Sequence, residues 1–490
     1  MKMIKTALLG GVAIAMSAAA AHADELDALK AQIETLNARV AAMETAPSVP
    51  AGYQLVTVSK GAQPQVPGLG LTAREIGAYG DKATTISVMP TADAPAGTTI
   101  TWSGYARAGL VYNSQTNDRS LRAYDAAGVE LKGLRDIGTA ATVSFPVEND
   151  DNTDDIDVKA RGQLRVVAST DTAVGEVGVD IRLRANFNGN GAADVYSDVA
   201  WGYWSMTPEL TLGGGYAGSL GNIGYGYDGA CTCYYTDNSD VAFNPGDTTQ
   251  MRLSYASGPV SFAIALEDAS LRAPGNDYNS NDTRNPDRLG AAGEIKYSGD
   301  MFSGEVSGVW RDVSENDYGA DNLWQVGAGV GFALGDMAKL SLAAAMGEGP
   351  FVTETDGNIT SGLPYNQSWW GVSALASFNL TDDIHAELGA GYKKREGDEF
   401  EVSTDSGSTT TKWESDGADY STYSFLGGLY YNPVDQLTIG VEAEYYTTDT
   451  SFSLDRVGTV PTGATGGVRS LEADSNPNTF SVDLVSVWRF

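Results

Sequence analysis

The sequence predicts an all-β fold, a transmembrane antiparallel up-and-down β-barrel of sixteen strands that carries a short amino-terminal α-helical coiled-coil segment. Three observations lead there. From Thr99 onward the chain consists of segments of nine to fifteen residues that alternate in polarity, the length and period of a tilted membrane-crossing strand. Their connections alternate between long, mostly acidic loops and very short turns such as Ser257-Gly258-Pro259, Ser298-Gly299-Asp300, Thr381-Asp382-Asp383 and Asn432-Pro433-Val434-Asp435. Beyond the first residues no stretch offers the roughly 18 consecutive apolar residues of a membrane helix, so any crossing must be made by strands.

The amino terminus comes first. Lys2 and Lys5 precede an apolar run from Thr6 to Ala21, and Ala21-His22-Ala23 is a small-residue cleavage site, so residues 1–23 read as a secretory signal and the mature chain begins at Asp24. Acidic Asp24 and Glu25 in place of a basic stop argue against a membrane anchor. In residues 24–46 the apolar positions Leu26, Leu29, Ile33, Leu36, Val40 and Met43 recur at spacings of three and four. That is the a/d pattern of three heptads, compatible with dimers or trimers, and so short a helix is marginal alone. The alternative is one amphipathic helix lying on the barrel. Pro47 and Pro50 stop the helix. Residues 47–98 read as a periplasmic linker or small irregular region, with brief strand-like patches around Leu55–Val58 and Ile86–Val88.

The barrel is expected over residues 99–490. Its strands are expected at 99–113, 158–168, 173–187, 195–206, 209–217, 249–257, 259–268, 288–298, 301–312, 322–334, 338–347, 368–379, 384–396, 418–431, 436–448 and 479–490. An even count with short turns on one side places both barrel ends on the periplasmic side. Ala140 to Pro146 also reads as a strand, but counting it breaks the parity, so it is placed in the first long loop.

Polarity sets the environment. Phe480, Val482, Leu484, Ser486, Trp488 and Phe490 share one face of the last strand, and Ser481, Asp483 and Arg489 the other. Leu437, Ile439, Val441 and Tyr445 stand likewise against Glu442 and Glu444, and Phe302, Val306 and Trp310 against Glu305 and Arg311. Sixteen strands enclose more space than side chains fill, so the polar face meets an aqueous lumen and the apolar face meets lipid. Trp102, Tyr112, Trp201, Trp324, Trp369, Trp370, Tyr430, Tyr431 and Trp488 are candidates for the interfacial aromatic girdles. The formal charge of −32, or −34 without the signal, argues against nucleic acid as a partner. The abundance of aromatic and β-branched residues argues against disorder.

Three stretches carry a family resemblance: Thr101-Trp102-Ser103-Gly104-Tyr105-Ala106-Arg107, Arg252-Leu253-Ser254-Tyr255-Ala256-Ser257-Gly258-Pro259, and Val487-Trp488-Arg489-Phe490. Over about Thr99 to Phe490 the chain resembles the alphaproteobacterial general porins, and its terminal Phe490 resembles the assembly signal of such barrels. The resemblance implies an outer-membrane homotrimer of a Gram-negative bacterium, passing small hydrophilic solutes and ions, among lipid and lipopolysaccharide, with its third long loop folded inward to narrow the pore. The heptads resemble the coiled-coil extension of some trimeric porins, including dicarboxylate-selective ones. Selectivity for small carboxylates and a tethering role therefore stand as alternatives.

The third long loop, 218–248, carries Asp228, Asp237, Asp240 and Asp247 and no Lys or Arg. Opposite it, at even spacing on the first three strands, stand Arg107, Lys159, Arg161, Arg165, Arg182 and Arg184, a basic ladder for one wall. An acidic loop facing a basic wall sets a transverse field that sorts ions and orients dipolar solutes. Two plainer readings compete: the basic residues pair with lumenal carboxylates such as Asp180 and Asp483, or the loop carboxylates are solvated outside the pore.

Cys231 and Cys233 lie in the same loop of a chain bound for an oxidising compartment and are candidates for a loop disulfide. Two thiols without a neighbouring His supply only half a zinc tetrahedron, and no metal or other cofactor is expected. The acidic run Glu148 to Asp155 offers oxygen ligands for Ca2+, which would bridge to lipopolysaccharide phosphates, but it lacks EF-hand spacing and reads first as a solvated charge run. Enzyme activity is not expected. His385 is the one histidine left after signal removal, it follows a short turn near the periplasmic rim, and no Gly-x-Ser-x-Gly elbow has a usable acid and base.

Overall fold

The computed structural model describes residues 55–89, 97–117, 119–125, 127–129, 151–188, 195–236, 241–269, 288–312, 322–350, 366–406, 409–457 and 469–490. The expected signal, the heptad helix, the 140–146 patch, Asp237 and Asp240 lie outside these residues. The chain divides into two units, one of residues up to Val58 with Ile86–Thr99, the other of Ser59–Thr85 with Ile100–Phe490. In the first unit, Met89 N donates to Leu55 O at 2.9 Å. The second is the barrel.

Before the barrel wall come β1 (Val56–Ala62), helix α1 (Ala73–Tyr79) and β2 (Lys82–Val88). The first half of the wall is β3 (Thr98–Asn117), β5 (Asp151–Thr172), β6 (Gly175–Asn188), β7 (Val195–Ser205), β8 (Leu210–Gly218), β9 (Asp247–Ser257), β10 (Val260–Asp268) and β11 (Leu289–Ser298). The second half is β12 (Phe302–Asp312), β13 (Asn322–Leu334), β14 (Ala338–Pro350), β15 (Asn366–Asn379), β16 (Ile384–Gly397), β19 (Ala418–Val434), β20 (Leu437–Arg456) and β22 (Asn478–Arg489). Each pairs antiparallel with the next, and β22 closes on β3 through partners such as Asp483 with Val111 and Val487 with Arg107. Closure satisfies every ladder, which is what lets a sheet sit in hydrocarbon.

The sixteen strands are those expected from polarity, displaced at their ends by a few residues and longest where the sheet outruns the membrane. Four short strands, β4 (Arg119–Tyr124), β17 (Phe400–Ser406), β18 (Thr409–Ser415) and β21 (Ser470–Ser475), continue it on the long-loop side. There β21 bridges β20 to β4, pairing Thr450 with Ser475 and Ser470 with Tyr124. At the opposite end the hairpins are tight. Gly258 takes φ 57° between Ser257 and Pro259, a backbone setting that glycine adopts without a Cβ penalty.

Burial alternates as the sequence pattern demands. In β22, Phe480, Leu484 and Trp488 face outward while Ser481, Asp483, Val485 and Val487 are buried inside. In β12, Phe302, Val306 and Trp310 face outward while Glu305, Ser307, Val309 and Arg311 are buried. A barrel with carboxylates and guanidinium groups inside and Phe, Leu and Trp outside is inverted relative to a water-soluble one, so its solvent is lipid.

Candidate functional site in the barrel lumen

The loop joining β8 to β9, here L3, lies against the inner wall, and the sequence explains how it fits. Wall glycines face it: a Cβ at Gly329 would stand 2.5 Å from Tyr225 Cβ, and one at Gly371 would stand 2.7 Å from the Phe243 ring. Within L3, Gly226 opens helix α2 (Gly226–Ala230) with φ 76° and packs where a side chain would strike Ser373 and Ala343.

Wall carboxylates then hold the loop by its backbone. Glu442 accepts from Tyr234 N at 2.7 Å, Tyr235 N at 2.9 Å and the Thr236 hydroxyl at 3.1 Å. Glu387 accepts from Thr232 N at 3.0 Å, Glu267 from Leu220 N at 3.2 Å, and Glu305 from Gly224 N. Glu444 accepts the Tyr227 hydroxyl at 2.7 Å. Hydrogen bonds to a charged acceptor contribute about 1.5–3 kcal/mol each, so the loop is fixed against the wall rather than free to sweep the lumen. Glu305, Glu442 and Glu444 were legible as lumenal, but not as anchors of L3, since their partners are mostly main-chain amides. Burial pushes the Tyr234 hydroxyl of L3 up to about 12, against the pull of Arg489, so it stays neutral.

The predicted basic residues all lie on β3, β5 and β6. Arg165 and Arg182 are buried and share Asp180, at 2.9 and 3.0 Å. Arg184 pairs with Asp198 at 2.5 Å, and Arg161 donates to Asn186 at 2.6 Å. Lys159 is half-buried. The Arg107 guanidinium lies 4.5 Å from the Tyr235 ring centre of L3, a cation–π contact, and its Nε and Nη1 meet no hydrogen-bond acceptor among the described residues. Of the loop acids, Asp228 pairs with Arg74 at 3.3 Å, and Asp247 is exposed at the start of β9. Cys231 and Cys233 are buried at the end of α2 with Cα atoms 5.3 Å apart.

Between loop and ladder lies a segment that composition left without a fold. Residues Ser59–Thr85 belong to the barrel unit. They enter it as β1, an extended stretch, α1 and β2, with Gln63 N donating to Asp81 O at 3.0 Å where the ends meet. Helix α1 begins with a capping box in which Glu75 N donates to the Thr72 hydroxyl and Thr72 N to the Glu75 carboxylate, at 3.2 and 2.9 Å. Tyr79 and Ala78 pack with Tyr105, Tyr234, Tyr430, Val485 and Val487, and Val66 packs with Val167, Val199, Trp201 and Tyr203. The signal missed in the sequence was Thr72-x-x-Glu75 opening a short helix after a Gly/Pro-rich run.

A closed barrel with a lipid-compatible exterior, a charged interior and a loop fixed across that interior defines an outer-membrane channel. The chain belongs to the porin subfamily, whose family model matches residues 97–470. It is thus an outer-membrane porin, a channel for passive diffusion. No curated protein matches it by sequence. Among solved structures, the outer membrane channel DcaP of Acinetobacter baumannii is similar at 12% identity and TM-score 0.45, covering 80% of this chain and 97% of that one. OmpT of Vibrio cholerae is similar at 12% identity and TM-score 0.44, covering 80% and 98%. A mutant of the Rh. blastica porin is similar at 13% identity and TM-score 0.36, covering 78% and 99%.

Proposed function

We propose that the chain works as a homotrimeric general porin of the alphaproteobacterial kind, passing small hydrophilic solutes and ions through a constriction bounded by L3. The observation that carries this reading is the set of wall carboxylates holding L3 inside the lumen, with Arg107 of the wall packed on the ring of Tyr235 of the loop. The heptads of residues 24–46 fit a trimeric coiled coil beside a trimeric barrel. Outer-membrane lipid and lipopolysaccharide surround the wall, and Cys231 joins Cys233 in a disulfide that stiffens L3. In a planar bilayer the purified protein gives large ohmic steps, closing in threes under high voltage. Single steps without a threefold pattern would remove the trimer.

A second reading, preference for small carboxylates, is favoured by the basic residues of β5 that stay partly exposed on the lumenal face, Lys159 and Arg161. Succinate added to one chamber then reduces chloride current in the wild type and less in Lys159→Gln. Equal block in both would leave general diffusion alone.

A further inference from the structure

Four wall arginines, the cross-strand partners Arg165 and Arg182 on β5 and β6, Arg252 on β9 and Arg489 on β22, donate into residues Ser59–Thr85. Arg165 reaches the Pro64 carbonyl at 3.3 Å, Arg182 the Gly70 carbonyl at 3.3 Å and the Glu75 carboxylate at 2.6 Å. Arg252 reaches the Gly68 carbonyl at 2.6 Å, and Arg489 the Gly77 carbonyl at 2.6 Å. On the segment's other side Arg74 donates to the Cys233 carbonyl at 2.6 Å and pairs with Asp228. Consecutive residues of α1 thus reach opposite structures, Arg74 the loop and Glu75 the wall.

On β6 and its neighbours three guanidinium groups, Arg165, Arg182 and Arg184, face three carboxylates, Asp180, Asp198 and Glu75. Glu75 is the one of these that the wall does not supply. Without it the group carries one more positive charge at the wall of a narrowed lumen, where lining charges set ion preference.

We propose that residues Ser59–Thr85 form a resident inner constriction of this channel. They cover an arginine track on the wall and, through Glu75, offset the charge of Arg182 within it, so that this segment as well as L3 sets the size limit and the ion preference. With the Glu75 charge removed, the track favours anions, chloride and small carboxylates among them. The inference rests on the porin reading.

The segment is suited to excision. Because Gln63 and Asp81 meet, Pro64–Gly80 can be replaced by an Asn-Gly turn in the full chain. A milder variant, Glu75→Gln, keeps a side chain able to complete the capping box and removes only the charge. Single-channel conductance and reversal potential are recorded in a potassium chloride gradient, beside wild type. The excised protein, which loses Arg74 together with Glu75 and so keeps the same net charge, is expected to give larger steps. Glu75→Gln, which removes one negative charge, is expected to give steps of wild-type size with a reversal potential shifted toward chloride, and this arm decides the matter if the excised protein fails to assemble. Unchanged reversal potential in Glu75→Gln, or unchanged step size after excision, overturns the inference. A conducting wild type with unchanged variants removes this inference alone, whereas a wild type without channels removes the porin reading and this with it.

Discussion

Arg182 of the barrel wall donates to Glu75 of the amino-terminal segment at 2.6 Å, although the two lie 107 residues apart in sequence. Arg182 also holds Asp180, which in turn holds Arg165, so one carboxylate serves two buried guanidinium groups. Removing one partner of a buried pair costs about 3–5 kcal/mol, because the other charge is left uncompensated. Asp180→Asn is therefore expected to lower the unfolding free energy in urea by about 3 kcal/mol or more. A change below about 0.5 kcal/mol would mean that water already solvates these groups.

Glu442 gathers two amides and two hydroxyls, the Tyr430 hydroxyl at 2.9 Å among them, so it is the most heavily used anchor of L3. Glu442→Gln keeps the shape and weakens the charge-assisted bonds by about 1–2 kcal/mol in sum. The expected result is a channel of similar mean conductance with more open-state current noise. A quiet channel identical to wild type would show that L3 is held by its apolar contacts.

Gly329 admits Tyr225 against the wall, whereas Gly293, on the outward face of β11, would meet only the Ala263 carbonyl at 3.5 Å and the Ile264 side chain at 3.9 Å. Gly329→Ala should displace L3 and change the step size, and Gly293→Ala should not. Equal behaviour of the two would contradict the seat assigned to Tyr225.

The outward position of Leu484, in the middle of β22, is apolar and 53% exposed. An arginine near the bilayer midplane of such a barrel costs about 2–4 kcal/mol. Leu484→Arg is expected to lose that much in reversible unfolding from vesicles, and little if that face does not meet lipid.

At the periplasmic rim Lys82 lies 2.5 Å from Asp435, and this hydrogen bond pulls the Asp435 carboxyl below its ordinary range and lifts the Lys82 ammonium above its own. A depressed carboxylate contributes fully above its unfolded pKa, about 3.9, and ceases to as pH falls through its lower folded value. A raised lysine contributes fully below about 10.4 and ceases to as pH rises through its higher folded value. A fluorophore on Asp81→Cys should keep constant anisotropy from about pH 5 to 9 and loosen beyond both ends. With Lys82→Gln added, it should be loose throughout.

The wall was legible in the sequence because one physical rule, alternation between lipid and water, is written into every strand. Phe480 to Phe490 and Phe302 to Asp312 show it without reference to any partner. Boundaries were less legible, since β20 runs on to Arg456 where it leaves the membrane and pairs with β21. The lumen was legible in sign but not in partnership. Asp228 finds Arg74, a residue from a stretch with no periodicity, and that stretch binds the wall largely through the carbonyls of Pro64, Gly68, Gly70 and Gly77. Main-chain carbonyls leave no side-chain trace, so neither the seat of the segment nor the carboxylate grip on L3 has a local signature.

The central claim is a water-filled passage through this barrel, narrowed from within. Its most direct measurement is single-channel recording of the purified wild type in a planar bilayer, with the folded barrel verified in the same preparation. Ohmic current steps that persist in different salts are the result this account predicts. A folded, inserted barrel that carries no current would contradict it.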